Sequence, residues 1–380
     1  MNKLLRALLV LVAVVTVALA VVRFRFGEGR RLEDLTTAPL LSGDVLERVV
    51  DLDYPPGNIA VHSSGRVFFT LHPDGKPPVK VVELVDGKPV PYPNERYQSE
   101  HGDIPYFQSI LSIRIDRQDR LWVLDFADFG RGQPRITAFD LATGDLVHRF
   151  DFPREVAGLG SMLNDMQVSP DGNSIFIAET SPVVHRPALI VYDVAAEKAR
   201  RLLHRHGSVL PEDYIIQAPG RDMRFYGLFA LRIGVDSIAL DTRGEWLYYG
   251  PVTGDRLYRI RASDLLDTAI SDRDLGKRVE EYAAKTLSDG LTMDTEDGVY
   301  LSDMEHSAVI RLDTDRKLTT LVKDDRLRWP DGFGFGPDGW LYVTCSSLQH
   351  VLFLGEDDVR EHAPYQIFRF RPGHEGMPGH

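Results

Sequence analysis

Cysteine is almost missing from this chain: Cys345 is the only one in 380 residues. A disulfide within the chain is therefore impossible, and stability must come from a packed core. Cys345 lies in the strand-like run LYVTCSS with no histidine pattern beside it, which reads as a buried structural thiol rather than a nucleophile. No cysteine neighbours the apolar N-terminal run, which excludes lipid attachment there. Basic clusters are scarce as well. The net charge is −12 and the pI is near 5.5, so the body has no electrostatic footprint for nucleic acid. Gly-x-Ser-x-Gly, His-Glu-x-x-His and Gly-Lys-Ser/Thr are all missing, which leaves serine-hydrolase, zinc-protease and P-loop chemistry without sequence support.

Long hydrophobic runs are lacking too, with one exception. Lys3 and Arg6 precede a sixteen-residue run from Ala7 to Val22, apolar apart from Thr16 and followed by Arg23. Its length suits a signal-peptide core or, with its flanks, a short membrane anchor, and Ala18-Leu19-Ala20 offers a small-x-small cleavage site. Both alternatives stay open, and both place the body outside the cytoplasm, in a periplasmic or extracellular space. Residues 1–26 form this segment, 27–42 a polar linker and 374–380 a polar tail.

Between them the chain repeats. Six segments share one theme, in which Asn or Asp opens a short apolar run, a polar-Gly turn follows, and a second apolar run closes. They are PGNIAVHSSGRVFFTLHP (56–73), YFQSILSIRIDRQDRLWVLDFA (106–127), LNDMQVSPDGNSIFIAETS (163–181), GVDSIALDTRGEWLYYGPV (234–252), LSDGLTMDTEDGVYLSDME (287–305) and WPDGFGFGPDGWLYVTCSS (329–347). The opening polar positions are taken as Asn58, Ser109, Asn164, Asp236, Asp289 and Asp331, spaced by 51, 55, 72, 53 and 42 residues. That period predicts an all-β fold: a six-bladed β-propeller of four-stranded blades over 43–373. The alternating run Tyr365–Phe370 is expected to pair with residues 46–52, closing the ring with strands from both ends of the chain. The longest interval holds an insertion over 197–232, either a lid over one mouth or a long blade connection. His204 and His206 within it lack a third ligand and read as solvated. Residues 262–285 read as a solvated connecting helix.

Each opening polar residue would come round to one mouth of the central channel. Clustered Asp and Asn oxygens either share protons or hold a hard cation, Ca²⁺ first and Mg²⁺ or Mn²⁺ as alternatives. The plainer reading is that they cap turns, as Asp and Asn commonly do.

SDGLTMDTEDGVYLSDMEHSAVIRL, VDSIALDTRGEWLYYGPVTGDRLYRI and WPDGFGFGPDGWLYVTCSSLQHVLF closely resemble repeats of the major royal jelly/Yellow family. PPGNIAVHSSGRVFFTLHP looks like that family's first repeat. The resemblance covers about residues 45–355. It implies a secreted propeller that binds small aromatic amines, serves structurally, or acts as a dopachrome-tautomerase-like isomerase. The repeats are more distantly similar to the gluconolactonase/regucalcin family. That resemblance implies a divalent cation in the channel, with Asp289 as metal ligand and general base and Asp236 where the family has an Asn ligand. Asn164-Asp165 would then hold substrate. The family's first-blade Glu is absent, and Gly57-Asn58 stands there, so Asn58 completes the expected ligand set. Asp331 and Glu305 are expected to help bind substrate, and His306 to act as a second acid/base group.

The leading expectation is an exported gluconolactonase-like hydrolase of a small lactone-type substrate. The alternatives are a Yellow-type amine-binding protein, an isomerase, or an interaction scaffold. In the amine-binding reading, Tyr106, Phe107, Phe126 and Trp329 are candidates to stack on the ligand. The partner is a small molecule, with no nucleic acid. The body is expected to be monomeric and to touch a membrane only through the N-terminal segment.

Overall fold

Short β-favouring runs punctuated by Gly- and Asx-rich turns fold into six antiparallel four-stranded sheets in a computed structural model. The structure describes residues 3–100, 106–182 and 184–379. The first two residues of the expected leader and His380 of the tail lie outside them. The inner strands are Pro56–Val61, Ile110–Ile115, Leu163–Val168, Val235–Leu240, Leu291–Met293 and Pro330–Phe335. Each packs against the next, and the last packs against the first, so the ring closes around a central channel. Their residues are buried almost throughout because blades cover both faces, which explains the continuous apolar runs.

Closure joins the two ends of the chain. Glu47–Leu52 pairs antiparallel with Tyr365–Phe370, so blade 6 takes its outermost strand from the N-terminal side of the propeller. Thr344 reinforces the joint: its Oγ1 accepts the Gly332 N–H at 2.8 Å and donates to the carbonyl of Gly57 in blade 1 at 2.6 Å.

Two expectations are corrected. Residues 262–285 are not one helix. Ala262–Leu266 and Asp272–Gly276 form single turns, and Glu280–Ala284 is the outer strand of blade 4. There Glu280 meets Arg259 at 2.8 Å, and Tyr282 packs edge-on to Tyr248 with ring centroids 5.1 Å apart. Cross-strand partners outweigh the helical appearance of a Glu- and Ala-rich run. The insertion also starts later than 197, because Lys198–Leu202 completes blade 3.

The linker and tail are both tied down. Leu40 and Leu41 donate to Thr320 and Leu321 along blade 5. The tail runs beneath the ring: the Glu375 carbonyl accepts from Thr295 N–H, the Gly379 carbonyl accepts from Ile115 N–H, and Met377 reaches the lower end of the channel beside Gln167 and Met293. The apolar N-terminal segment is a helix, Lys3–Phe26, whose stretch Leu5–Phe26 is unburied and long and apolar enough to cross a membrane.

Candidate functional site

The inner strands carry a shared device at their upper ends. In five of them the pairing register slips by a β-bulge, at Gly57-Asn58, Leu111-Ser112, Asn164-Asp165, Asp236-Ser237 and Asp331-Gly332. In blade 5 the equivalent pair, Asp289-Gly290, precedes the strand and donates both N–H groups to Ser302 Oγ, at 3.1 and 2.7 Å. A bulge opposes two residues to one and turns the side chain away from the regular pleat. It also corrects the sequence register. Asn58 occupies the second bulge place, not the first, which is Gly57. Ser109 lies before the strand, where its N–H donates to Asp125, and Leu111-Ser112 takes its place.

Asp236, Asp289 and Asp331 therefore hold the same place in three consecutive blades. They are not turn caps: no backbone N–H is donated to any of the three carboxylates among the described residues. Capping falls to other aspartates at the opposite end of the strands. Asp241 accepts Glu245 N–H, and Asp294 accepts Glu296 and Gly298 N–H. At the mouth, Asp289 Oδ2 accepts the Trp329 indole N–H at 2.6 Å. Burial pushes its carboxyl up to about 6. Burial and then the Asp289, Asp165 and Asp331 charges push Asp236 well above the carboxylate range. Asp331 is raised in the same way by burial, Asp289 and Asp165.

Two cations that sequence reasoning missed complete the mouth. Arg114, on the inner strand of blade 2, is 1% exposed. Its guanidinium donates to Asn58 Oδ1 and lies 3.7 Å from Asp165 Oδ2, while Asn58 Nδ2 donates to Asp165 Oδ1 at 2.8 Å. Lys285 is buried at the end of blade 4. Its Nζ donates to the Thr286 carbonyl at 3.0 Å, and burial holds its ammonium down at about 7. Gly250 makes room for it, since a Cβ there would come within 2.9 Å of Lys285 Cε. An arginine inside a strand pattern and a lysine beside a turn carry no sequence mark of burial.

Of the remaining expected residues, Asn164 shares the place of these aspartates, and Glu305 and His306 lie elsewhere. Asn164 is half-buried in the first bulge place of blade 3. Glu305 holds the insertion: its Oε1 accepts the Gln217 N–H at 2.6 Å, and burial raises its carboxyl to about 7. His306 is bound through Nδ1 to Asp303 at 3.0 Å and faces Asp34 of the linker at 3.6 Å. Its charged neighbours are Asp303, Asp34 and Glu305, not Asp289. Phe107 and Trp329 are core residues, and Phe126 packs on Phe129, so these aromatics form no cage at the mouth. His204 lines a separate cavity of about 380 Å³ over blade 3 with Arg154, Arg186 and Arg201, where Arg201 is engaged by the buried Glu179.

Residues 203–234 lie over the blade 4–6 side of the mouth. Gln217 is bound to Glu305, Arg221 donates to the Gln349 and Leu352 carbonyls, and Ile216, Ala218 and Met223 share a core with Leu287, Met304 and Trp329. The tail thus lies below the channel and this segment above part of its mouth.

The donor chemistry of the mouth suits a hard cation, but its arrangement does not form a cage for one. No three His, Cys, Asp or Glu side chains among the described residues come together as a metal site. Asn58 and Asp165 are taken by Arg114, and Asp289 by Trp329.

Fold and site define a six-bladed propeller with an acidic upper channel. Such propellers recur among solved structures: a calcium-binding protein, regucalcin, from Agrobacterium tumefaciens is similar at a TM-score of 0.55 and 16% identity, covering 90% of this chain and 98% of its own. A gluconolactonase from Xanthomonas campestris is similar at a TM-score of 0.53 and 14% identity, covering 86% and 88%. These likenesses carry the fold alone. Residues 108–352 match the family model for major royal jelly protein, and the chain belongs to that family. Major royal jelly protein 6 of Apis mellifera is 23% identical over 236 residues, 58% of this chain and 50% of that protein. The chain spans about half the length of the relatives it matches.

Proposed function

We propose that this protein is an exported binding protein that holds a small organic cation, a primary amine, in the acidic channel mouth. The observation that carries the reading is the charge balance of buried groups. Among the described residues, the buried Asp165, Asp236, Asp289 and Asp331 face the buried cations Arg114 and Lys285, and Asp236, Asp289 and Asp331 lie in register on adjacent blades. Clustered carboxylates of this kind are relieved by a proton or by a cation. An ammonium group needs no ligand cage, since a charge-assisted hydrogen bond to one or two of these carboxylates holds it. Recognition by carboxylates replaces the aromatic stacking expected from the sequence.

Calorimetry in the presence of chelator, with tryptamine and other primary amines, tests the reading. Binding is expected to strengthen as pH rises through about 6, where Asp289 loses its proton. Asp236→Asn is expected to weaken it by roughly 10–100-fold, the worth of a charge-assisted hydrogen bond. No heat from any amine would sink the proposal. Turnover of a lactone only when Ca²⁺, Mg²⁺ or Mn²⁺ is added would replace it with the gluconolactonase-like reading.

A further inference from the structure

The insertion carries a second feature that the channel does not use. Arg224–Phe225 and Phe229–Ala230 form a small hairpin whose turn is Tyr226-Gly227-Leu228. Its aromatics face water: Phe225 is 43%, Tyr226 71% and Phe229 40% exposed. Phe353, from the upper loop of blade 6, packs edge-on to Phe225 with ring centroids 4.8 Å apart and lies 5.8 Å from Tyr226. Leu354 continues the patch at 38% exposure. Contiguous exposed aromatics in an otherwise acidic, soluble body mark a contact surface.

The same hairpin receives the end of the apolar helix. The Phe26 ring lies 6.2 Å from Phe229, and Arg224 Nε donates to the Gly27 carbonyl at 2.7 Å. Arg232 donates to the Glu28 carbonyl at 3.1 Å, and Arg30 is bridged to Tyr214 in the insertion. Residues 26–30 are thus strapped to the insertion, with no free linker between the membrane-length helix and the aromatic hairpin.

We infer that this hairpin, with Phe353 and Leu354, is a membrane-contacting surface that seats in the bilayer interface beside the helix and turns the channel-mouth face of the propeller toward the lipid. The occupant is the bilayer itself, because the patch is continuous with a helix of membrane-spanning length. Aromatic rings favour the headgroup level, where an apolar body and a wet edge are both satisfied. At the same junction Arg23 and Arg224 are paired with Glu28 and Asp222, while Arg25, over the Phe26 ring, suits a phosphate group at that depth. The inference is independent of what the channel binds. It gives the body a membrane contact of its own beside a helix that the sequence leaves open as leader or anchor.

The test uses the full chain in phosphatidylcholine nanodiscs. Because Cys345 is fully buried, a nitroxide can be attached at one introduced cysteine at a time: Tyr226→Cys, Leu354→Cys and, as a control, Val147→Cys on the outer strand of blade 2, which is 51% exposed. Power-saturation spectroscopy compares relaxation by oxygen, which partitions into lipid, with relaxation by a water-soluble nickel chelate. The labels at 226 and 354 are expected to favour oxygen several-fold relative to the label at 147. Equal, water-like accessibility at all three positions would overturn the inference.

Discussion

Arg114 is a fully charged group placed where water does not reach. It is held by Asn58 and Asp165, and its Nε donates to no partner among the described residues. Removing one member of such a set leaves the other charge buried and unpaired, which outweighs the loss of a single bond. Arg114→Met is therefore expected to destabilise the protein by about 3–5 kcal/mol in urea denaturation. Adding Asp165→Asn to that variant should recover part of the loss, since it removes the stranded charge. If Arg114→Met unfolds at the wild-type midpoint, the guanidinium does not stabilise the mouth. The aspartates of the site were legible in the repeats, because Asp236, Asp289 and Asp331 each open an apolar run before a Gly turn. Arg114 was not, because its neighbours in sequence, Ile113 and Ile115, mark only a strand, and its ion partner lies 51 residues away.

At the scale of elements, the ring depends on hydroxyls that stitch one blade to the next. Thr70 Oγ1 accepts Asn58 N–H at 2.9 Å and donates to the Leu111 carbonyl at 3.0 Å, and Thr344 makes the corresponding pair across the closure. Each hydroxyl satisfies backbone groups that the bulge has taken out of the strand ladder. Thr344→Val keeps the shape and strands two buried backbone groups, so a loss of about 1–3 kcal/mol is expected by chemical denaturation. An unchanged midpoint would show that the bulge needs no such tie. Asn164, Asp236, Asp289 and Asp331 hold the first place of the pair, whereas Asn58 holds the second and Ser109 lies two residues before Leu111. A one-residue slip sends a side chain to the other face, so Asn58 meets Arg114 and Asp165, while Ser109, ahead of the strand, donates its N–H to Asp125 instead.

At the scale of the whole molecule, segments outside the blades act as straps. The tail joins blade 5 to blade 2 beneath the channel through three hydrogen bonds to its carbonyls, two from Thr295 to that of Glu375 and one from Ile115 to that of Gly379, and the exposed His374 Nδ1 lies 3.1 Å from Glu296 Oε2. Ending the chain at Gly373 is expected to lower Tm by about 6–12 °C, taking ~1 kcal/mol for each of these three bonds and ~2–4 °C per kcal/mol. A calorimetric scan that shows no shift would mean that the tail is held without stabilising the ring. The insertion is the corresponding strap above, fastened to blade 5 through Glu305 and to blade 6 through Arg221, and it also carries the aromatic hairpin.

The sequence by itself determined the propeller, its six blades, its closure by strands from both ends, and the acidic register of blades 4 to 6. All of these follow from local period: a turn, an apolar run and an opening residue that recur about every fifty positions. Tertiary structure alone decided what the mouth contains and what covers it. Arg114 enters it from within a strand and Lys285 from a strand end, neither with a distinguishing pattern, Glu305 turns to the insertion, and His306 turns to the linker. The linker, tail and aromatic hairpin found partners roughly 200 residues or more away, or in other blades. Such pairings depend on how the ring brings distant segments together, and a charge becomes informative only once its burial and its partners are known.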